Sequence, residues 1–205
     1  MKKDVAVRRT EILEATCRVV VERGFGGTRV ADVAEQLDVS TGLIHYHFDS
    51  KDQLLAEAFS YAAQEDLARL RADIDAATTP VGKLDAAFAM FEPEDGHPSW
   101  GLWIDAWGEA MRVKELATIS RTLDVEWKDA LEQVIRDGVA TGEFMCADPR
   151  AAAWRLAALM DGLAVQVTVH DGVLTRRELT DWVRAAAIAE LQLPLDAFSM
   201  ATQRR

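Results

Sequence analysis

An all-α fold follows from three features of the sequence. Apolar residues recur at helical spacing along most of the chain, capping residues stand ahead of those stretches, and no segment shows the strict alternation of a strand. Lys2 and Lys3 form a short basic arm. The first helix, Arg8 to Arg23, carries Ile12, Ala15, Thr16 and Val19 on one face, and Gly24-Phe25-Gly26-Gly27 breaks it. Val30, Val33, Ala34 and Leu37 then fall at i, i+3, i+4 and i+7, the stripe of a short second helix. Thr28 stands where a hydroxyl caps that helix, and Asp32 lies near the positive end of its dipole. Asp38 interrupts the pattern and tolerates a left-handed turn. Val39 turns inward, Ser40 caps again, and Thr41 to His47 forms a third helix that holds Ile44 inside. Ala34 is small where the two short helices cross. Two short helices, a tight turn and a small crossing residue spell a helix-turn-helix, whose second helix enters a DNA major groove.

Ser50 and Gln53 have capping-box spacing and open a long helix to about Ala77, with Leu54, Leu55, Ala58 and Phe59 near its start. Thr79-Pro80 is a cap with proline in the first helical position, and that helix runs through Phe91. Glu92 to Pro98 reads as a mobile acidic loop. Helices follow from Ser99 to Arg112 and from Glu115 to Thr141, where Gly142 stops the chain. Asp148-Pro149 starts the next helix and Asp171-Gly172 ends it. Thr175 and Glu178 box the start of a last helix that ends near Leu193, before Pro194. The count is about nine helices with no internal repeat.

The stretch GTRVADVAEQLDVSTGLIHYHFDSKDQLL, Gly27 to Leu55, resembles the N-terminal domain of the TetR family of one-component transcriptional repressors. Thr28, Val33–Ala34, Val39–Ser40, Gly42, His47–Phe48, Ser50–Lys51 and Leu54–Leu55 carry the match at fixed spacing. Asp38 departs from the family's usual turn glycine, and His45 replaces a tyrosine that in many members touches a phosphate. GEFMCADPRAAAWRLAALMDGLAV and GLIHYHF are similar to the choline-responsive BetI-type subgroup. The resemblance implies a DNA-binding domain at residues 1–51 and a ligand-binding and dimerisation domain at 52–205. It also implies a two-fold dimer built from the last two long helices, and a small-molecule inducer.

Charge fits that division. The chain has 205 residues and a net charge of −11. Residues 1–51 carry eight Lys/Arg against eight Asp/Glu, whereas residues 52–205 carry fifteen against twenty-six. The duplex therefore repels the second part and leaves the first to approach it. Cys17 and Cys146 show neither zinc-ligand spacing nor a disulfide framework, which suits a reducing cytoplasm. No apolar run has the length of a signal peptide or a membrane span. No catalytic constellation or cofactor motif emerges. His45 and His47 lie about 200° apart around a helix and cannot share an ion.

The candidate DNA contacts are Thr28, Arg29, Thr41, Gly42, His45, Tyr46 and Lys51: the outer face of the recognition helix and the helix starts beside it. Lys51 is a cation in a first turn, where the dipole favours anions, a local conflict that points to a nearby phosphate. The candidate dimer seam is Leu156, Leu159, Leu163 and Val167 with Leu179, Trp182, Val183 and Ala186. Trp100, Trp103 and Trp107 share one face, Trp127 lies on the following helix, and Trp154 shares a stripe with Asp161. Such rings and one carboxylate on an apolar stripe suit an organic cation as inducer, with plain core packing as the other reading. Asp105 and Glu109 fall opposite the Trp stripe and are read as solvated. The rival to a DNA-binding repressor is a helical carrier or enzyme that uses the Trp-lined cavity without DNA.

Overall fold

Leu13, Thr16 and Val20 of the first helix turn inward with Ile12, Ala15 and Val19, and around them the first core forms. In a computed structural model, described for residues 5–90, 99–170 and 172–202, the described residues form ten helices and no strand. These are α1 (Val5–Gly27), α2 (Val30–Gln36), α3 (Thr41–His47), α4 (Lys51–Ala76) and α5 (Pro80–Ala89), then α6 (Ser99–Ala110), α7 (Lys114–Ala140), α8 (Pro149–Val169), α9 (Arg176–Leu191) and α10 (Ala197–Thr202). The basic arm at Lys2–Lys3 and the loop Glu92 to Pro98 lie outside the described residues. Two compact units result, one of Met1–Glu65 with Pro98–Leu123, the other of Asp66–His97 with Asp124–Arg205.

In the first unit, Ile12, Ala15 and Val19 bury against Val33 and Ala34 of α2, Ile44 of α3, and Phe48, Leu54 and Ala58. Burial of an aliphatic side chain of this size is worth about 1.5–3 kcal/mol. A second cluster in the same unit joins Val20 and Phe25 to Leu55 and Phe59 of α4, to Leu102 and Ala106 of α6, and to Leu116 and Leu123 of α7. The unit that holds the helix-turn-helix is thus larger than the first 51 residues.

In the second unit α8 and α9 pack along one another and α5 packs on both α9 and α10. Arg184 pairs with Asp85 at 2.7 Å, tying α9 to α5. The chain leaves α7 through Gly142, at φ 79°, and returns Phe144 onto Gly138. A Cβ at position 138 would stand 2.1 Å from that ring, so only glycine fits.

Most caps fall where the sequence places them. Ser40 Oγ accepts from Leu43 N at 3.3 Å, Thr79 Oγ1 from Gly82 N at 3.0 Å, and Asp148 Oδ1 from Ala151 N at 3.0 Å. Thr175 and Glu178 form a full capping box. Asp38 takes the left-handed conformation at φ 52°. Three details differ. The expected glycine break is a single kinked residue within α1, Gly24 at φ 73° and ψ 165°, after which the chain resumes a helical turn to Gly27. Thr28 is not the cap of α2: its hydroxyl donates to Gly24 O at 2.7 Å, and Arg29 takes the cap position, its N–H held by Asp32 Oδ2 at 2.9 Å. Finally, α10 is a tenth helix, missed because Pro194 reads as a stop; Phe198 on it is buried and lies 5.9 Å from Phe88.

Candidate DNA interface and ligand-binding region

Inward anchoring of one residue sets the outward face of α3. Ile44 is buried in the first core, so on a seven-residue helix Thr41, Gly42, His45 and Tyr46 point outward, and all four are exposed. Tyr46 is 74% exposed and meets the neighbouring His47 ring edge-on, at 5.2 Å between centroids, which leaves its outer face open. Arg29 is also exposed at the start of α2. Lys51 is half-buried, with its ammonium 3.5 Å from Gly26 O. Thr28 differs from the other candidates: it is 1% exposed and its hydroxyl donates to Gly24 O, which gives it a structural part in the turn.

Arg9 is a residue the sequence reading missed. Its guanidinium lies 4.2 Å from the Phe48 ring centroid, donates to His47 O at 2.5 Å and pairs with Glu57. One side chain of α1 thereby fixes the end of α3 to α4 and supports the pose of the recognition helix. Charge at helical spacing could not announce this, because the partners lie 38 and 48 residues away.

The tryptophans divide between the two units. In the first, Trp107 lies 6.1 Å from Trp100 and 5.9 Å from Trp103, and Trp103 meets Phe59 edge-on at 4.8 Å. Phe59 in turn meets Phe25 of α1 at 6.2 Å. Trp100 is buried, and Trp103 and Trp107 are half-buried. Asp105, on the same helix, is not merely solvated as its phase predicts: Oδ2 accepts the Phe25 N–H at 2.6 Å.

In the second unit, Trp127, Trp154 and Asp161 stand on α7 and α8. Here the structure corrects the expected cation site. The Trp154 ring already has a resident cation, Lys128 Nζ at 5.0 Å from its centroid, with the Arg150 guanidinium at 5.9 Å. Lys128 is only 7% exposed and is ion-paired with Asp124. Burial pushes the Asp161 carboxyl up to about 6, with the Lys128 charge opposing that rise and the Asp124 charge adding to it. The protein therefore supplies its own ammonium at the ring and carboxylate that the sequence offered to a ligand. A cavity of about 450 Å³ opens elsewhere in this unit, lined by Arg71, Ile74, Lys83, Glu126 and Val134 among others, and borders none of the predicted ligand residues.

The predicted seam is also sorted by the fold. Leu156, Leu179 and Val183 are buried within the protomer, so they are not available to a partner. Helical phase alone could not tell the stripe that faces the neighbouring helix from the one left over. Leu159, Leu163, Val167 and Ala186 are half-buried, and Trp182 is 52% exposed. Ala185 and Ala189 continue the Trp182 stripe outward on α9, while Ala158, Gly162 and Val169 are exposed on α8.

A helix-turn-helix with an outward recognition helix, carried on a larger all-helical body, defines a DNA-binding regulator. Residues 12–58 match the family of bacterial regulatory proteins called tetR, and residues 80–192 match the BetI-type transcriptional repressor C-terminal family. The chain belongs to the TetR family, with a C-terminal part of the BetI type, and is a transcriptional repressor of that family. It is 33% identical to the transcriptional regulator BetI of Paraburkholderia xenovorans over 165 residues, covering 77% of this chain and 80% of that one. It is 30% identical to the transcriptional repressor KstR2 of Mycolicibacterium smegmatis over 143 residues, 68% of each. A transcriptional regulator from Saccharomonospora viridis, solved in complex with choline, superposes with a TM-score of 0.82 at 26% identity, over 90% of this chain and 96% of that one. None of the described helices is long and apolar enough to cross a membrane.

Proposed function

We propose that the protein acts in the cytoplasm as a homodimer on a palindromic operator and leaves it when a small organic cation binds. The carrying observation is the exposed face of α3, Thr41, Gly42, His45 and Tyr46, backed by the buried Ile44. On this reading residues 1–51 contact the operator, with Arg29 and Lys51 at phosphates, and residues 52–205 dimerise and bind the inducer. A helix this short needs two half-sites for useful affinity, which favours the dimer. Its seam is assigned to the outward residues of α8 and α9, with Trp182 and Leu163 inside it. An organic cation is favoured by the clustered Trp100, Trp103 and Trp107 rings and by the likeness to a choline-bound regulator. Trp154 and Asp161 are given a structural role, since Lys128 already faces the ring and its charge acts on the carboxyl. Inducer and operator must oppose one another through linkage: each weakens the other by the same factor.

The test is a gel shift with the intergenic DNA upstream of the protein's own gene, repeated with choline and with neutral aromatics. A shifted band that choline disperses supports the whole reading. A band that only neutral aromatics disperse keeps the repressor and rejects the cation. No shift with any upstream fragment rejects operator binding at that locus.

A further inference from the structure

The turn that launches the helix-turn-helix is held from α6. Gly24 leaves helical geometry at φ 73° and ψ 165°, and the next amide, Phe25 N–H, is taken by the Asp105 carboxylate at 2.6 Å. The freed Gly24 carbonyl accepts twice from Thr28, from its N–H at 3.1 Å and from its hydroxyl at 2.7 Å. Thr28 is buried and immediately precedes Arg29, the first residue of the α2 cap. Gly26 O, in the same turn, faces the Lys51 ammonium at the start of α4. Phe25 locks the turn from inside, buried against Phe59. Glycine at position 24 is required by its positive φ, and the Asp105 Oδ2 atom 3.0 Å from where a Cβ would stand crowds any larger residue further.

From these contacts we infer that Asp105 is a positioning residue for DNA binding: it joins the Trp-bearing helix α6 to the entry of the helix-turn-helix. The proposal rests on the DNA-binding reading above. Asp105 lies between Trp103 and Trp107 in sequence and on the opposite face of the same helix, so one element carries both the carboxylate that sets the turn and the aromatic cluster. Its bond to Phe25 is charge-assisted, stronger than a neutral amide bond and sensitive to small displacements. No phosphate contact is assigned to Asp105; its effect on DNA is exerted through the backbone of residues 24–28.

The experiment compares wild type, Asp105→Ala and Asp105→Asn as full-length protein, by operator affinity, salt dependence and amide hydrogen exchange. Asp105→Ala should weaken operator binding about tenfold and raise exchange at Phe25 through Arg29. The salt slope should stay at the wild-type value, because no counterion-releasing contact is lost. Asp105→Asn keeps an oxygen acceptor and should recover part of both losses; it also serves if the alanine variant fails to fold. Operator affinity of Asp105→Ala within twofold of wild type, or unchanged exchange at Phe25, overturns the assignment. If wild type shows no operator binding, the DNA reading fails by itself, and exchange at Phe25 still decides whether Asp105 sets the turn.

Discussion

Lys128 of α7 places its ammonium 5.0 Å from the Trp154 ring centroid on α8 while ion-pairing with Asp124 one turn earlier on its own helix. A buried lysine is tolerated only when its charge is met from several sides, and here a ring face and the carboxylates of Asp124 and Asp161 share that work.

One consequence is a pH dependence with a definite sign. The folded Asp161 carboxyl titrates near 6, above its ordinary value of 3.8, so between these values the folded state binds more protons than the unfolded one. Its contribution to stability is therefore greatest below about 4 and is lost as pH rises through about 6. Asp161→Asn should flatten this part of the stability profile, while Lys128→Met should destabilise the fold by about 1–2 kcal/mol by leaving the half-buried Asp124 and Asp161 carboxylates without their cation. Thermal unfolding from pH 4 to 7.5 measures both. A wild-type profile that already lacks this slope would show that Asp161 is solvated.

The turn and the phosphate contacts can be separated by salt. Lys51→Ala should weaken binding to all DNA sequences alike and lower the slope of log affinity against log salt by roughly one. Thr28→Val should cost about 1–2 kcal/mol in stability through the lost bond to Gly24 O, with its slope unchanged. Thr41→Ala should alter base preference instead. Anisotropy titrations at several salt concentrations discriminate the three, and an unaltered slope for Lys51→Ala removes that lysine from the phosphate contacts.

Assembly and folding should fail at adjacent residues of α9. Trp182→Glu introduces a charge at an exposed site and should give a folded monomer that no longer holds the operator. Val183→Glu places a charge inside the protomer core and should unfold the chain, at a cost of several kcal/mol. Analytical ultracentrifugation with circular dichroism reads both. A dimeric Trp182→Glu protein would move the seam away from this face.

Asp38 occupies a left-handed position at φ 52°, where a side chain costs roughly 1 kcal/mol relative to glycine. Asp38→Gly should therefore raise stability slightly, by a few tenths to 1 kcal/mol. Chemical denaturation gives the value, and a clear loss of stability would mean that the Asp38 side chain contributes a bond beyond the turn.

Local chemistry made much of this molecule legible. The caps at Ser40, Thr79, Asp148 and Thr175, the left-handed Asp38 and the inward Ile44 each depend on residues a few positions away, and all were read from spacing. Contacts between distant residues were not. Arg9 on Phe48, Asp105 on Phe25 and Lys128 on Trp154 each need a partner brought in by packing, and a charged side chain on a helix face looks the same whether it meets water or a buried amide. The seam residues show the same limit: Leu156 and Val183 lie on genuine apolar stripes, but phase does not say whether a stripe faces the neighbouring helix or a second molecule. Lys128 had one readable sign, its i, i+4 spacing from Asp124, which usually means an exposed pair.

Phe25 and Asp105 are 80 residues apart in sequence, yet the carboxylate of Asp105 holds the Phe25 amide and lies against the place that a side chain at Gly24 would take. Position 105 is therefore tied to the kink at position 24. A lineage that loses the carboxylate strands an amide at the entry to the recognition unit, whereas residue 24 is held to glycine by its own positive φ. Relatives that keep the kink at Gly24 should therefore also keep an acceptor at position 105, so this pair can be traced through descent without any knowledge of the ligand or the operator.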